Sequence, residues 1–266
     1  MLSTELAELV PIANRAVDLA AQVLRSAEGP RKITAKGERD YATDLDYEIE
    51  QRVRDHLAEV TPDIGFLGEE EGRRGDREDL VWALDPIDGT VNFVQGLPLY
   101  AVSLALVAGD QPVLGVVDLP ALGHRYHAAD GLGAHRNGNR LPCPGPPPDL
   151  GSAIVAIGDY AVGTNAEAKN RDRLDVTGRL AASVLRVRML GSAAIDLAWL
   201  AEGHLNASIT LSNNTWDMAA GVVLARETRH TVVDRWGQTY DLASTATIAA
   251  ADAFLPHLLS HLADHA

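Results

Sequence analysis

Two aspartates, a proline, a glycine and a threonine fall within one short stretch, Asp85-Pro-Ile-Asp88-Gly-Thr90, directly after the apolar run Val81-Trp-Ala-Leu84. The run is continuous and bounded by polar residues, which predicts a buried strand. Pro86 fixes its own φ and pushes Asp85 into an extended conformation. Gly89 lacks the Cβ that would keep a ligand away from the backbone, and Thr90 brings a hydroxyl to the turn beyond it. The strand tip therefore offers two carboxylates, the carbonyl of Ile87 and backbone N–H groups. Carboxylate and carbonyl oxygens suit hard cations, whereas N–H groups at a helix start suit phosphate. The same residues also read as an Asx-type turn in which Asp85 and Asp88 serve local N–H groups.

Acids recur where other predicted elements begin or end. Ile64-Gly-Phe-Leu67 runs into Gly68-Glu69-Glu70-Glu71. Three adjacent acids make a solvated turn, but if this strand neighbours the one ending at Asp85, Glu69 faces Asp85. Carboxylates gathered that closely repel unless they are protonated or bridged by a cation. Asp217 is the only acid in the apolar run Thr215 to Leu224, at a predicted helix start where the dipole alone accounts for it. Thr43 or Asp44 can cap a helix whose apolar face is Leu45, Ile49, Val53 and Leu57.

The elements that must position these acids follow from hydrophobic period. Leu2 to Ala27 has helical spacing, and Tyr100 to Ala108, Val113 to Leu119 and His124 to Ala128 read as a meander of strands. Asn137-Gly138-Asn139 predicts a turn. Pro142-Cys-Pro-Gly-Pro-Pro-Pro148 cannot pair with a sheet and reads as a stiff linker, 142–149, between an α+β lobe (1–141) and an α/β lobe (150–266). In the second lobe we expect strands at Ala153 to Ile157, Val184 to Leu190, Leu205 to Leu211, Val232 to Asp234 and Thr245 to Ala249. Helices are expected at Arg171 to Ser183, after Gly191-Ser192-Ala193, from Thr215 and at Phe254 to Leu262.

Composition narrows the class. At 266 residues, 46% hydrophobic and 23% charged, the chain has material for one large domain. A net charge of −14 disfavours a nucleic-acid partner. No apolar run is long enough to span a bilayer, and Met1 to Pro30 lacks the basic start and compact apolar middle of a secretory signal, so a cytoplasmic location is expected. Cys143 is the one cysteine, with no histidine or acid cluster beside it, and we assign it no chemistry.

Four stretches, in this order and separation, carry a resemblance: Gly68-Glu69-Glu70; Trp82 to Thr90 followed by Asn92-Phe93; Gly191-Ser192-Ala193-Ala194; and Trp216-Asp217-Met218-Ala219-Ala220-Gly221. Over nearly its whole length the chain resembles the inositol monophosphatase family of Mg²⁺-dependent, lithium-sensitive phosphatases. The resemblance implies a layered αβαβα fold of the α/β class, a homodimer, and two to three Mg²⁺ per site. It implies that Glu69, Asp85 and the Ile87 carbonyl hold one ion and that Asp85, Asp88 and Asp217 hold the second. It further implies a weaker third ion near Glu69, held mostly through water. By the same carry-over Asp44 and Thr90 orient and help deprotonate the attacking water, Gly89 and Thr90 present N–H groups to phosphate, and Asp88, Ala193 and Asp217 line the substrate. Lys36, Glu70, Gly191 and Ser192 are further candidates.

The chain departs from the family where the leaving group would sit. Thr210 occupies the place of a glutamate that reaches the ring hydroxyls in members that bind inositol. Ser212-Asn213-Asn214 is a polar loop before Asp217, and Glu227-Thr228-Arg229-His230 replaces a glycine turn, which we expect to be built without the positive φ that Thr and Arg resist. The chemistry implied is metal-activated attack of water on a small phosphorylated polyol or sugar, inositol 1-phosphate first, without a phosphoenzyme. Histidinol phosphate, fructose 1,6-bisphosphate or a specialised metabolite phosphate stand within the same chemistry. A non-catalytic binding module on the same fold is the alternative of another class.

Overall fold

The computed structural model describes residues 3–27, 32–37, 40–74 and 79–262. The chain opens with α1 (Ser3–Ser26), which buries Leu6, Ala13, Val17, Ala20 and Leu24 at helical spacing. Leu2, where this helix was expected to begin, lies outside the described residues. A hairpin of β1 (Ile33–Gly37) and β2 (Asp40–Thr43) follows, then α2 (Asp44–Val60). No strand was expected there; β1 is exposed along its whole length, so burial does not mark it.

The central portion is β3 (Gly65–Gly68), β4 (Gly72–Arg74), β5 (Leu80–Asp88), the short helix α3 (Thr90–Val94), β6 (Ala101–Ala108), β7 (Gln111–Leu119), β8 (His124–Ala129), β9 (Gly133–Arg136) and β10 (Asn139–Arg140). These strands form an eight-stranded sheet in the order β10-β9-β8-β7-β6-β5-β3-β4. The expected turn at Asn137-Gly138 joins β9 to β10, with both residues at positive φ (49° and 79°). The proline-rich stretch 141–149 carries no helix or strand.

Beyond it come β11 (Ile154–Ile157), α4 (Ala166–Ser183), β12 (Arg186–Arg188), α5 (Ala193–Glu202), β13 (Ala207–Thr210), α6 (Thr215–Glu227), β14 (His230–Val233), β15 (Thr247–Ala251) and α7 (Leu255–Leu262). The second sheet has five strands in the order β12-β11-β13-β15-β14. Several expected boundaries shift by a residue or more, β14 and β15 among them, and two other elements differ as follows. The helix expected from Arg171 begins earlier, at Ala166, behind Asn165 at φ 61°. The strand expected over Val184 to Leu190 shrinks to Arg186–Arg188, a sheet-edge segment whose arginines face solvent. The Glu227–His230 turn also corrects an expectation, because Arg229 adopts the left-handed conformation at φ 66° that we expected it to resist.

Five layers result. Buried residues of α1 and α2 cover one face of the first sheet, and α5 and α6 cover its other face. The same two helices pack against the second sheet, whose far side is closed by α4 and α7. The helices shared by both sheets are hydrophobic around most of their circumference, as a helix buried between two layers requires. The starts of α5 and α6 are therefore brought to the tips of the first sheet's strands.

Candidate active site

The strand of Asp85 does not stop at its acids: β5 runs through Asp85-Pro86-Ile87-Asp88. Asp85 stands opposite Ser103 and Asp88 opposite Ala101, so two residues on β5 oppose one on β6. That bulge re-aims the strand end. Both acids are buried, at 3% and 8% exposure. Asp85 Oδ1 accepts from the Ile87 N–H at 2.9 Å, the Asx-type contact anticipated from sequence. Asp88 reaches across to the middle helical layer, its Oδ2 accepting from Ser192 Oγ at 2.6 Å and the Ala194 N–H at 2.7 Å. Asp88 thus holds the start of α5, with Gly191, Ser192 and Ala193 beside it, against the tip of β5.

Gly89 turns the chain at φ 90° into α3, and a Cβ there would stand 2.9 Å from the Leu99 carbonyl and 3.0 Å from that of Gly191. Only glycine fits both the conformation and the space. Thr90 Oγ1 donates to the Ile87 carbonyl at 3.0 Å. Asn92, unassigned from sequence, donates to the carbonyls of Leu99 and Leu190 at 2.7 and 2.8 Å and ties the turn to the segment before α5.

Glu69 arrives from the neighbouring strand. β3 is parallel to β5 with Gly68 opposite Leu84, which places Glu69 beside Asp85 as the strand-tip pattern anticipates. Lys36 Nζ lies 2.5 Å from Glu69 Oε1 and 2.8 Å from Glu70 Oε1. Burial opposes the lysine's charge, but Glu69 and Glu70 outweigh it and hold its pKa above the ordinary value. The Glu69–Glu71 turn has a support the sequence did not reveal. Buried Glu50 accepts from the Glu70 N–H at 2.8 Å and the Glu71 N–H at 2.9 Å. Its carboxyl fills the space where a side chain on Gly68 would begin, Cδ being 2.2 Å from such a Cβ.

Asp44 requires correction. Its Oδ1 accepts from the Lys32 N–H at 3.0 Å, and it is Asp46 whose carboxylate lies within the field of Glu70 and Glu69. Thr43 is the N-cap and Asp46 closes the capping box, its Oδ2 accepting from the Thr43 N–H and hydroxyl at 2.7 and 2.6 Å. Residues two apart on a helix point to different sides, so Asp44 and Asp46 cannot share one role. Asp46 is fully buried, its Oδ1 has no hydrogen-bond partner, and burial followed by the two glutamates pushes its pKa up to about 7 against the pull of Thr43.

Asp217 enters from the first turn of α6, where Asn214 Nδ2 donates to its Oδ2 at 3.1 Å. Ser103, opposite Asp85 on β6, donates to the Trp216 carbonyl at 3.0 Å and fastens this helix start to the first sheet. Asn213 does not face the acids with a free amide. It donates to the Ser244 carbonyl at 2.6 Å and accepts from Tyr240 Oη at 3.0 Å, so its role is to brace the loop. Thr210 is buried at the end of β13.

The electrostatics bind these pieces into one site. Burial first, then Glu69, Asp88 and Asp217, raise the pKa of Asp85 well above the carboxylate range. Burial, Asp88 and Glu69 do the same to Asp217 against the Asn214 hydrogen bond. Asp88 is pushed by burial to about 6, restrained by its bonds from Ser192 and Ala194. Among the described residues no three His, Cys, Asp or Glu side chains close into a ready-made metal cage. Lys36 supplies a positive charge against Glu69 and Glu70. An all-oxygen donor set of mutually repelling carboxylates gathered from two strand tips and a helix start nonetheless fits hard divalent ions, which take oxygen ligands and keep several of their waters.

The family model described as the inositol monophosphatase family matches residues 5–266. Inositol-1-monophosphatase ImpA of Mycolicibacterium smegmatis is 36% identical over 247 residues, covering 93% of this chain and 89% of the relative. A protein of Aquifex aeolicus named fructose-1,6-bisphosphatase/inositol-1-monophosphatase is 32% identical, with 84% of each chain covered. Among solved structures, the extragenic suppressor protein suhB from Bartonella henselae superimposes with a TM-score of 0.89 at 28% identity, covering 97% of this chain and 100% of that one.

Proposed function

The chain belongs to the inositol monophosphatase family, and from that premise we propose that it hydrolyses the phosphate monoester of a small polyol or sugar, inositol 1-phosphate first, with Mg²⁺. As a member of that family it is a phosphoric monoester hydrolase. The observation that carries the finer reading is the shared field of Glu69, Asp85, Asp88 and Asp217, acids from two strand tips and one helix start.

Glu69, Asp85 and the Ile87 carbonyl would hold one ion, Asp85, Asp88 and Asp217 a second, and Glu69 a weaker third. Bound there, Mg²⁺ would lower the pKa of a water and neutralise phosphate charge. The chain's own residues do the rest. Asp46, whose Oδ1 is buried and unpartnered, would accept the proton of the attacking water, the role first assigned to Asp44. Thr90 Oγ1 orients that water from the neighbouring turn. The N–H groups of Gly89 and Thr90 open α3 toward the phosphoryl oxygens. Asp88, which holds the start of α5 through the Ala194 N–H, would keep Ala193 at the leaving group.

The setting proposed is a cytoplasmic homodimer. Exposed Leu185 (46%) and Met189 (39%) flank the edge strand β12 and support pairing. The single free cysteine suits a reducing compartment. Thr210, buried at the leaving-group side, keeps fructose 1,6-bisphosphate and histidinol phosphate as second readings, and the Aquifex relative carries both a bisphosphatase and an inositol name. A panel of these esters with Mg²⁺ should show highest kcat/KM on a polyol or sugar phosphate and lose activity on chelation. Failure to cleave any of them, p-nitrophenyl phosphate included, would refute the proposal.

A further inference from the structure

Because Thr210 brings no carboxylate to the leaving-group side, the source of hydroxyl recognition must be sought on neighbouring elements. β11 runs parallel to β13 with Ile157 opposite Ile209, so Gly158 stands beside Thr210 and Asp159 lies one step beyond, at the strand exit. The Thr210 methyl is turned toward Gly158, 3.2 Å from where a Cβ would begin. Buried Arg173 clamps both exits, donating Nη1 to the Asp159 carbonyl at 2.6 Å and Nη2 to the Leu211 carbonyl at 2.9 Å. The backbone on which Asp159 sits is therefore held to the loop that leads into Asp217.

Its carboxylate is not held. Among the described residues no donor hydrogen-bonds to it, and Arg173 is the one cation whose charge reaches it. Its field does reach inward. Asp196, buried in the first turn of α5, is raised by burial and then by two charges, Asp88 and Asp159. A line of acids thus runs from the exit of β11, past α5, to the tip of β5. An unengaged carboxylate on a clamped backbone, at the strand exit held to the loop that leads into Asp217, is the group that hydroxyls of a ligand would bind.

We propose that Asp159 is the specificity-determining residue of this enzyme, accepting hydrogen bonds from hydroxyls of the polyol leaving group in the role left open by Thr210. The inference rests on the phosphomonoesterase reading above. Two oxygens of one carboxylate can each accept from a hydroxyl, so the favoured leaving group carries adjacent hydroxyls next to the ester.

The test is the full chain with Mg²⁺, wild type and Asp159→Ala and Asp159→Asn, on inositol 1-phosphate, fructose 1,6-bisphosphate, glycerol 2-phosphate and p-nitrophenyl phosphate. Loss of hydrogen bonds to a charged acceptor should raise KM for the best hydroxyl-bearing ester roughly ten- to a hundredfold in the alanine variant. Asparagine should cost less, kcat should barely move, and p-nitrophenyl phosphate, which offers no hydroxyls, should be cleaved as by wild type. An unchanged KM in Asp159→Ala overturns the proposal, and so does an equal loss on p-nitrophenyl phosphate, which would mark a structural role. A wild type that cleaves p-nitrophenyl phosphate but none of the hydroxyl-bearing esters also overturns it. Inertness of the wild type to all four instead defeats the phosphatase reading itself.

Discussion

The two sheets hold their contributions to the site in opposite ways. At the tips of the first sheet the functional side chains are themselves tied. Asp85 accepts from Ile87, Asp88 from Ser192 and Ala194, and Glu69 and Glu70 from Lys36. At the exit of the second sheet it is the backbone that is tied, by Arg173 to the carbonyls of Asp159 and Leu211 and by Asn213 to Ser244 and Tyr240. There the side chain of Asp159 is left open. Phosphoryl chemistry demands charges fixed in advance, because reorganisation during the reaction would raise the barrier. Recognition of the leaving group demands only a stable platform, so residues such as Thr210 can differ without disturbing the acids.

The sharpest way to break this comparison is Asp88→Asn. The amide can keep its oxygen toward Ser192 and Ala194, so the start of α5 should stay in place while one anionic donor disappears. We expect kcat to fall on the order of a hundred- to a thousandfold, the scale of losing one preorganised electrostatic contact, and to do so on every ester. Melting temperature should hold or rise, because a repelling charge has left the cluster. Retained turnover, or a loss confined to some substrates, would erase the distinction between the regions.

Glu50→Gln probes the same region one shell back. Glu50 touches none of the proposed ligands through its side chain, yet it receives the N–H groups of both Glu70 and Glu71. The glutamine oxygen can accept one of them well, and its NH₂ group would confront the other. The turn that presents Glu69 should loosen, weakening Mg²⁺ activation about ten- to a hundredfold, as outer contacts to metal ligands commonly do. Saturating Mg²⁺ should restore most of kcat. A Mg²⁺ titration separates this from a folding defect, which added ion would not repair, and an unshifted titration would remove Glu50 from the positioning set.

The sequence made the first sheet's acids legible because each sits at the end of an apolar run, and strand adjacency then places Glu69 beside Asp85. What it concealed was helical phase. Asp44 and Asp46 both stand near a predicted cap, and only the capping box of Thr43 with Asp46 decides which one turns inward. Glu50 was hidden similarly, as a charged residue in a helix otherwise read through its apolar face. Ser103 and Asn92 act through backbone carbonyls far along the chain, at Trp216 and Leu190, and such pairings leave no local pattern. The β1–β2 hairpin is built from very short segments whose first strand is exposed throughout, so no run of buried residues announces it. Asp159 gave no sign either, since its meaning depends on β11 lying beside β13.

The smallest expected effect concerns stability in the absence of metal. The folded-state pKa values of Asp46, about 7, and Asp88, about 6, lie above the ordinary aspartate value, chiefly because burial disfavours their charged forms. Between roughly pH 4 and these values the folded chain holds protons that the unfolded chain has released, so the unfolded state binds fewer protons and stability falls as pH rises. The contribution is fully present below the unfolded pKa and is lost through about pH 6 to 7. Chelated protein should therefore melt at a lower temperature at pH 8 than at pH 5.5, by a few degrees in differential scanning calorimetry. Mg²⁺ should narrow or reverse the gap, stabilising more at pH 8, where deprotonated acids bind it and mass action favours the folded state. The second sheet's exit supplies the contrast. Asp159→Asn should leave this Mg²⁺-dependent slope intact, whereas Asp88→Asn should flatten it. Equal slopes in both variants would mean that the acids at the first sheet's tips are not the group the ion compensates.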